Sequence, residues 1–250
     1  MITRKSRHEI SLMLTAGSIV AEALNEMRSV IKPGISTAEL DEIAYKIIIK
    51  NHAIPTFKGY NGFPASICAS INEQVVHGIP NKDIFLKEGD VISLDVGATY
   101  KGLVGDSAIT VPVGEIDAEL KKLLKVTEQA LYDGIGKMIA NNHLSEASGA
   151  IEDCANQYGF GIVKSYGGHG VGHSMHEDPF VFNFRNGIPG PVLKSGMTIA
   201  IEPMFNLGTG EVHTLEDGWT VVTNDNKPSA HFEHTVLVGD DGPVILTSEK

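Results

Sequence analysis

A stretch of ten residues occurs twice in this chain, and that repeat limits the fold more than any other feature. Leu86-Lys87-Glu88-Gly89-Asp90-Val91-Ile92-Ser93-Leu94-Asp95 aligns without gaps on Leu193-Lys194-Ser195-Gly196-Met197-Thr198-Ile199-Ala200-Ile201-Glu202. Each copy passes through a glycine into an apolar strand-like run and ends in an acid. Upstream of each lies a pair of helical patterns. Ile10 to Met27 carries apolar residues at three- and four-residue steps, and Lys32-Pro33-Gly34 ends it. Ser36 with Glu39 has the spacing of a capping box and marks the start of a second helix. About Asp117 to Ile139 and Ser145 to Tyr158 form the second pair, where Ile151-Glu152-Asp153-Cys154-Ala155 echoes Leu40-Asp41-Glu42-Ile43-Ala44. Chance similarity between amphipathic helices explains that weaker match less improbably than the first. The repeat predicts an α+β fold of two related halves. With no Pro/Ser-rich linker between them, the halves are expected to pack as one domain, 1–250.

Composition removes several classes. The 250 residues are 42% hydrophobic and 20% charged, as in a globular protein, which argues against disordered and collagen-like chains. The net charge of −11 argues against a nucleic-acid or anionic-membrane surface. No run approaches the roughly 18 apolar residues of a membrane span, and the basic N-terminus lacks the apolar core of a signal peptide. Cys68 and Cys154 are too few and too far apart for a disulfide framework or a Cys-based zinc site, so they read as buried thiols. A cytoplasmic location is expected.

The acids carry the chemistry. Val91 to Val96 and Ala108 to Val111 read as strands joined by a turn near Lys101-Gly102, a hairpin that brings Asp95 and Asp106 together. Alone, the pair is equally a solvated turn feature. The second half repeats the arrangement, with Glu202 after its strand and Glu233 in the apolar-flanked Ala230 to Val236. Four acids on core-forming strands repel one another without cations, so their mutual approach implies divalent metal. His169, within Gly167-Gly168-His169-Gly170-Val171-Gly172-His173, is the candidate nitrogen ligand. One imidazole with four carboxylates suits two divalent ions sharing bridging acids. A phosphate-binding loop fits poorly, because no convincing helix follows the glycines. His176-Glu177-Asp178-Pro179-Phe180 fails the H-E-x-x-H zinc pattern at its last position, and no Ser or Cys sits in a nucleophile motif. His77 and His176 are left as substrate contacts or proton-transfer groups, whereas His8, His52, His143 and His213 read as structural or surface residues. Phe57, Tyr60, Phe63 and Trp219 are candidates for an apolar pocket or, as aromatics commonly are, for the core.

Asp95, Asp106, Gly168-His169-Gly170-Val171-Gly172 with His176-Glu177-Asp178-Pro179, Ile201-Glu202-Pro203 and Phe232-Glu233-His234-Thr235 together resemble type I methionine aminopeptidases, over nearly the whole chain. The resemblance implies a pseudo-twofold pita-bread (creatinase/aminopeptidase) fold, in agreement with the duplication. It implies that Asp95 chelates one ion, that Asp106 and Glu233 bridge, and that His169 and Glu202 complete the other ion. Further implications are a dinuclear site of Co, Mn, Fe or Zn and removal of Met from nascent polypeptides with a small second residue, near the ribosome, by a monomer. Glu202 would be the general base, His176 the oxyanion contact and His77 a contact to the scissile amide or the substrate's N-terminal end. Tyr60, Phe63, Cys68 and Trp219 would surround the Met side chain. No N-terminal zinc-binding extension is present, as in the short bacterial form. Two positions depart from the pattern: His231 stands where many relatives carry Gln, and Phe57 where they often carry a smaller residue. Rival readings are an X-Pro dipeptidase or creatinase-like hydrolase, which usually carries another N-terminal domain, and a pita-bread binding protein that has lost catalysis.

Overall fold

A Ser-x-x-Glu signal starts both helices of the first half. In the computed structural model, which describes residues 2–248, helix α1 (Arg7–Val30) is capped by Ser6, whose Oγ accepts from Glu9 N–H while Glu9 accepts from Ser6 N–H. Helix α2 (Thr37–Lys50) is capped by Ser36 and Glu39 in the same way, as the spacing predicts. Helix α1 begins three residues before the apolar periodicity does, because its first turn is polar and held by its cap. Met1, Glu249 and Lys250, at the ends of the expected 1–250 domain, lie outside the described residues.

In the second half, α3 (Ala118–Ile135) starts at the Asp117 cap and α4 (Ser145–Tyr158) has the expected bounds. Helix α3 stops short of Ile139. Gly134 and Gly136 weaken its end, and the chain tightens into a turn in which Met138 N–H donates to the Ile135 carbonyl at 2.9 Å.

The two halves share one antiparallel sheet of nine strands. Its main path runs Ile54–Pro55, Val91–Tyr100, Leu103–Pro112, Glu233–Val238, Thr198–Ile201, Gly168–Gly170 and Glu177–Val181. Ile67–Ile71 also pairs with the Asp95 strand, Val91–Tyr100, and Pro243–Ile245 pairs with Glu233–Val238. Exchanging the halves swaps the Asp95 strand with Thr198–Ile201 and the Asp106 strand, Leu103–Pro112, with Glu233–Val238. The order of these four strands is unchanged by that exchange. The turns before the repeated strands match as well: Asp90 N–H donates to Lys87 O and Met197 N–H to Lys194 O, both at 3.1 Å. Gly89 and Gly196 take φ of 90° and 91° at the same place in each turn, a conformation that an L side chain would strain. Leu40 and Ala44 of α2 and Ile151 and Ala155 of α4 are all buried, in accord with the second match.

Helices α1 and α2 bury Val20, Leu24 and Leu40 against Ile92 and Leu94, whereas α3 and α4 bury Leu123, Leu131 and Ile151 against Ile199 and Ile201. Each such side chain contributes ~1.5–3 kcal/mol of transfer free energy. Strand alternation then turns Asp95, Asp106 and Glu233 to the opposite face of the sheet. Among the described residues, no helix is long and apolar enough to cross a membrane.

Candidate metal centre

The sheet register assembles the acids. Asp95 pairs with Ala108 and Gly97 with Asp106 across a hairpin closed by Lys101 and Gly102, both at positive φ. The Asp95 strand runs on to Tyr100, so Asp95 lies in mid-strand rather than at the end of its apolar run. Across the junction of the halves, Glu233 pairs with Ala108 from the other side. Residues 95, 108 and 233 therefore form one row, and Asp106 lies diagonally beside them. Thr235 locks the junction, its Oγ1 donating to Asp106 O at 2.8 Å and accepting from Asp106 N–H at 3.1 Å.

His169 reaches the acids from Gly168–Gly170. A Cβ at Gly168 would lie 2.1 Å from Ala200 O, and one at Gly170 2.1 Å from Asp178 O, so only glycines allow the imidazole's strand to fit there. His169 Nδ1 donates to Gly170 O at 2.9 Å. In the neutral ring this leaves the Nε2 lone pair facing carboxylates, 3.7 Å from Asp106 Oδ2 and 3.6 Å from Glu202 Oε1. Asp106, His169 and Glu233 each offer a ligand atom within 4.8 Å of the others, and all three are buried. Glu202 follows the end of its strand, and its carbonyl accepts from the Asn183 amide at 3.0 Å.

The donor set fits divalent metal. Asp95 Oδ1, Asp106 Oδ1 and Glu233 Oε1 are buried without a hydrogen-bond partner, as is His231 Nε2. Orphaned carboxylate oxygens in the interior are costly unless a cation satisfies them. Burial, aided by Glu202's charge, pushes the Asp95 carboxyl up to about 7 against the opposing influence of His231. Burial and the mutual repulsion of the acids raise Asp106 and Glu233 well above the carboxylate range. Glu202 is different: burial would raise it, but the neighbouring imidazoles of His231, His169 and His176 hold it below its usual value. His231 Nε2 is 3.5 Å from Glu202 Oε2.

A cavity of about 490 Å³ opens onto these groups. Tyr60, Phe63, Cys68, His77, His176 and Trp219 line it together with the five candidate ligands, so every site residue expected from sequence converges here. Phe63 and Trp219 meet edge to face at 5.1 Å. Phe57 is buried in the wall, and Gly97 makes room for it, since a Cβ there would lie 2.6 Å from Phe57 Cε1. Cys68 pairs with Asp95 in the sheet, and burial first and Asp95's charge second push its thiol well up, keeping it protonated. His176 Nδ1 is 2.7 Å from the Tyr60 hydroxyl, and burial followed by the His169 charge lowers the ring to about 4. His77 is lowered by burial and holds a φ of 61°, a strained conformation for a bulky residue. His8, His52, His143 and His213 are exposed, as expected.

Sequence reasoning missed Tyr166, Met175 and Phe180 in the cavity wall. Tyr166 stacks edge-on to His77 at 5.6 Å, and its closeness to the Gly-rich run is the one signal that could have found it. It also missed Asn183, which no motif marks.

The model of metallopeptidase family M24 matches residues 11–240. Methionine aminopeptidase 1 of Bacillus subtilis is 51% identical over 247 residues, covering 99% of each chain. The crystal structure of methionine aminopeptidase from Thermotoga maritima superposes with a TM-score of 0.97 at 45% identity, covering 100% of both chains. Prolidase from Pyrococcus furiosus shares the fold at a TM-score of 0.79 and 21% identity, and the match spans only 66% of that longer chain. The pita-bread α+β fold expected from the resemblance is thereby established.

Proposed function

The chain belongs to metallopeptidase family M24, and from this premise we propose that its cavity removes the N-terminal methionine from polypeptides whose second residue is small. One observation carries the reading: a buried cluster of acids and His169 with orphaned ligand atoms forms the floor of a pocket walled by Phe63, Cys68 and Trp219. An apolar, sulfur-tolerant wall suits a methionine side chain. The full-length match to methionine aminopeptidases favours this activity over an X-Pro dipeptidase, whose likeness supports the fold alone. The intact acid set disfavours a binding protein without catalysis.

Asp95, Asp106, His169, Glu202 and Glu233 would hold two divalent ions, drawn from Co, Mn, Fe and Zn, with Asp106 and Glu233 shared between them. Such ions supply Lewis-acid polarisation of a carbonyl and a water that ionises near neutral pH. The remaining work falls to the chain. Glu202, ionised because its neighbours hold its pKa down, takes the proton of the attacking water. His176 is neutral at working pH. With the Tyr60 hydroxyl donating to Nδ1, its proton sits on Nε2, where it donates to the oxyanion that develops. His77, also kept neutral by burial, contacts the scissile amide. A bulky second residue would crowd the acids and shift the carbonyl, and a misplacement of about 1 Å can cost ~100-fold in rate.

The protein would act as a single catalytic domain and a monomer in the cytoplasm, on nascent chains near the ribosome, with no direct contact to nucleic acid or membrane. Its two buried free cysteines suit a reducing compartment. Peptide hydrolysis tests the activity. Met-Ala-Ser should be cleaved, Met-Lys-Ser slowly, and Lys-Ala-Ser not at all, because a lone charge in the apolar pocket is costly. Equal rates on all three would overturn the reading.

A further inference from the structure

Beyond the cavity, the strand Glu177–Val181 forms an edge of the sheet, and an unusual alternation runs from its last residues into the irregular chain that follows. Val181 and Asn183 point inward at 1% and 0% exposure, while Phe180, Phe182 and Phe184 share the outer face. Phe180 is 46% exposed, and Phe182 and Phe184 are half-buried. Their rings form an edge-to-face ladder, 4.8 Å from Phe180 to Phe182 and 5.4 Å from Phe182 to Phe184. Lys164 caps its far end with Nζ 5.2 Å from the Phe184 ring centre. Outward-facing positions at the end of an edge strand and in the chain leaving it normally carry polar residues, so three aromatic rings in a row call for a partner.

We propose that this ladder is the track on which the substrate polypeptide lies downstream of its cleaved bond, with apolar side chains preferred at alternate positions. The proposal rests on the aminopeptidase reading and extends the site past the first two residues. Two observations identify the substrate's own chain as the occupant. The ladder is continuous with the cavity, since Phe180 both lines it and pairs with His169 across the sheet. The ladder is anchored to the acids, because the Asn183 amide donates to the carbonyl of Glu202 at 3.0 Å. A peptide leaving the acids in extended form turns every second side chain toward one face, so its third and fifth residues would meet the phenylalanines.

Steady-state kinetics on Met-Ala-Ser, Met-Ala-Ser-Ser-Ser and Met-Ala-Leu-Ser-Leu test this. For the wild-type protein with metal we expect the Leu pentapeptide to exceed the Ser pentapeptide by about tenfold in kcat/KM, through KM, as apolar contacts of this size discriminate. The Phe182→Ser/Phe184→Ser protein should lose that preference and keep its rate on Met-Ala-Ser. Equal wild-type rates on the two pentapeptides, or a preference that survives in the double variant, would overturn the track. The wild-type comparison decides even if the variant folds poorly. Failure to cleave Met-Ala-Ser would instead remove the aminopeptidase reading, and the track with it. A dimer in sedimentation equilibrium that the double variant abolishes, without any peptide preference, would assign the ladder to a second copy of the chain and overturn the proposal.

Discussion

Asp95 and Glu233 flank Ala108 from opposite sides in one row of the sheet, each paired with it directly. One acid comes from each half of the chain, and a single methyl group lies between them. Space for cations is therefore set by the smallness of residue 108 as well as by the acids.

Enlarging that residue should close the space. Ala108→Leu is expected to cut metal uptake and to lower Met-Ala-Ser hydrolysis by ~100-fold or more, since displacements of about 1 Å suffice for that. The added methylenes should cost about 1–3 kcal/mol of stability in the packed site, leaving the secondary structure intact. Elemental analysis beside circular dichroism checks this, and full metal content in a folded Ala108→Leu protein would contradict it.

The shared acids should be indispensable. Asp106→Asn or Glu233→Gln is expected to abolish peptide hydrolysis by at least ~100-fold, because each removes a carboxylate from both proposed ions. Glu202→Gln should affect one ion and the proton transfer together. Near-normal turnover by metal-poor Asp106→Asn protein would end the dinuclear proposal.

Stability should depend on pH in a direction set by the acids. In metal-free protein Asp95 is held up to about 7, and Asp106 and Glu233 are well above their usual range. A carboxyl raised on folding keeps its proton longer in the native state, so its contribution is present at low pH and is lost as pH rises through the folded value. His176 and His234, lowered to about 4 from 6.5 by burial, act oppositely, and their contribution grows as pH rises between those values. The two sets oppose each other below 6.5, and above it only the acids act. The Tm in chelator should therefore fall as pH rises above 6.5 through neutrality, and the gain on adding Mn should widen over the same range. Melts at several pH values with and without metal measure both, and a Tm in chelator that rises above neutrality would contradict the account.

His231 should tune the choice of metal. Its Nε2 stands 3.5 Å from Glu202 Oε2 and helps hold that carboxyl down. His231→Gln removes that neighbouring imidazole, so the ranking of activity across Mn, Fe, Co and Zn should change while the fold persists. An unaltered ranking would leave His231 without a special role.

Much of this arrangement was legible in the sequence, because the duplication leaves the same marks twice. The paired Lys-x-Gly turns, the apolar strands after them and the terminal acids need no tertiary information, and Ser36 with Glu39 announces its helix. The row of Asp95, Ala108 and Glu233 was hidden. It depends on the register between the Asp106 strand and Glu233–Val238, more than a hundred residues apart, which no local pattern encodes. Asn183 was hidden for a similar reason, since its partner is a backbone carbonyl and every residue type carries one. Helix α3 was overextended because the apolar periodicity outlasts the helix, whereas Gly134 and Gly136 decide its end.

The central claim is that this site releases methionine through divalent metal held by the five residues Asp95, Asp106, His169, Glu202 and Glu233. Methionine release from Met-Ala-Ser by protein stripped with chelator and then titrated with Mn or Co tests it most directly. The account predicts no release without metal and a rate that climbs and levels off by two equivalents. Undiminished release in the presence of chelator would contradict it.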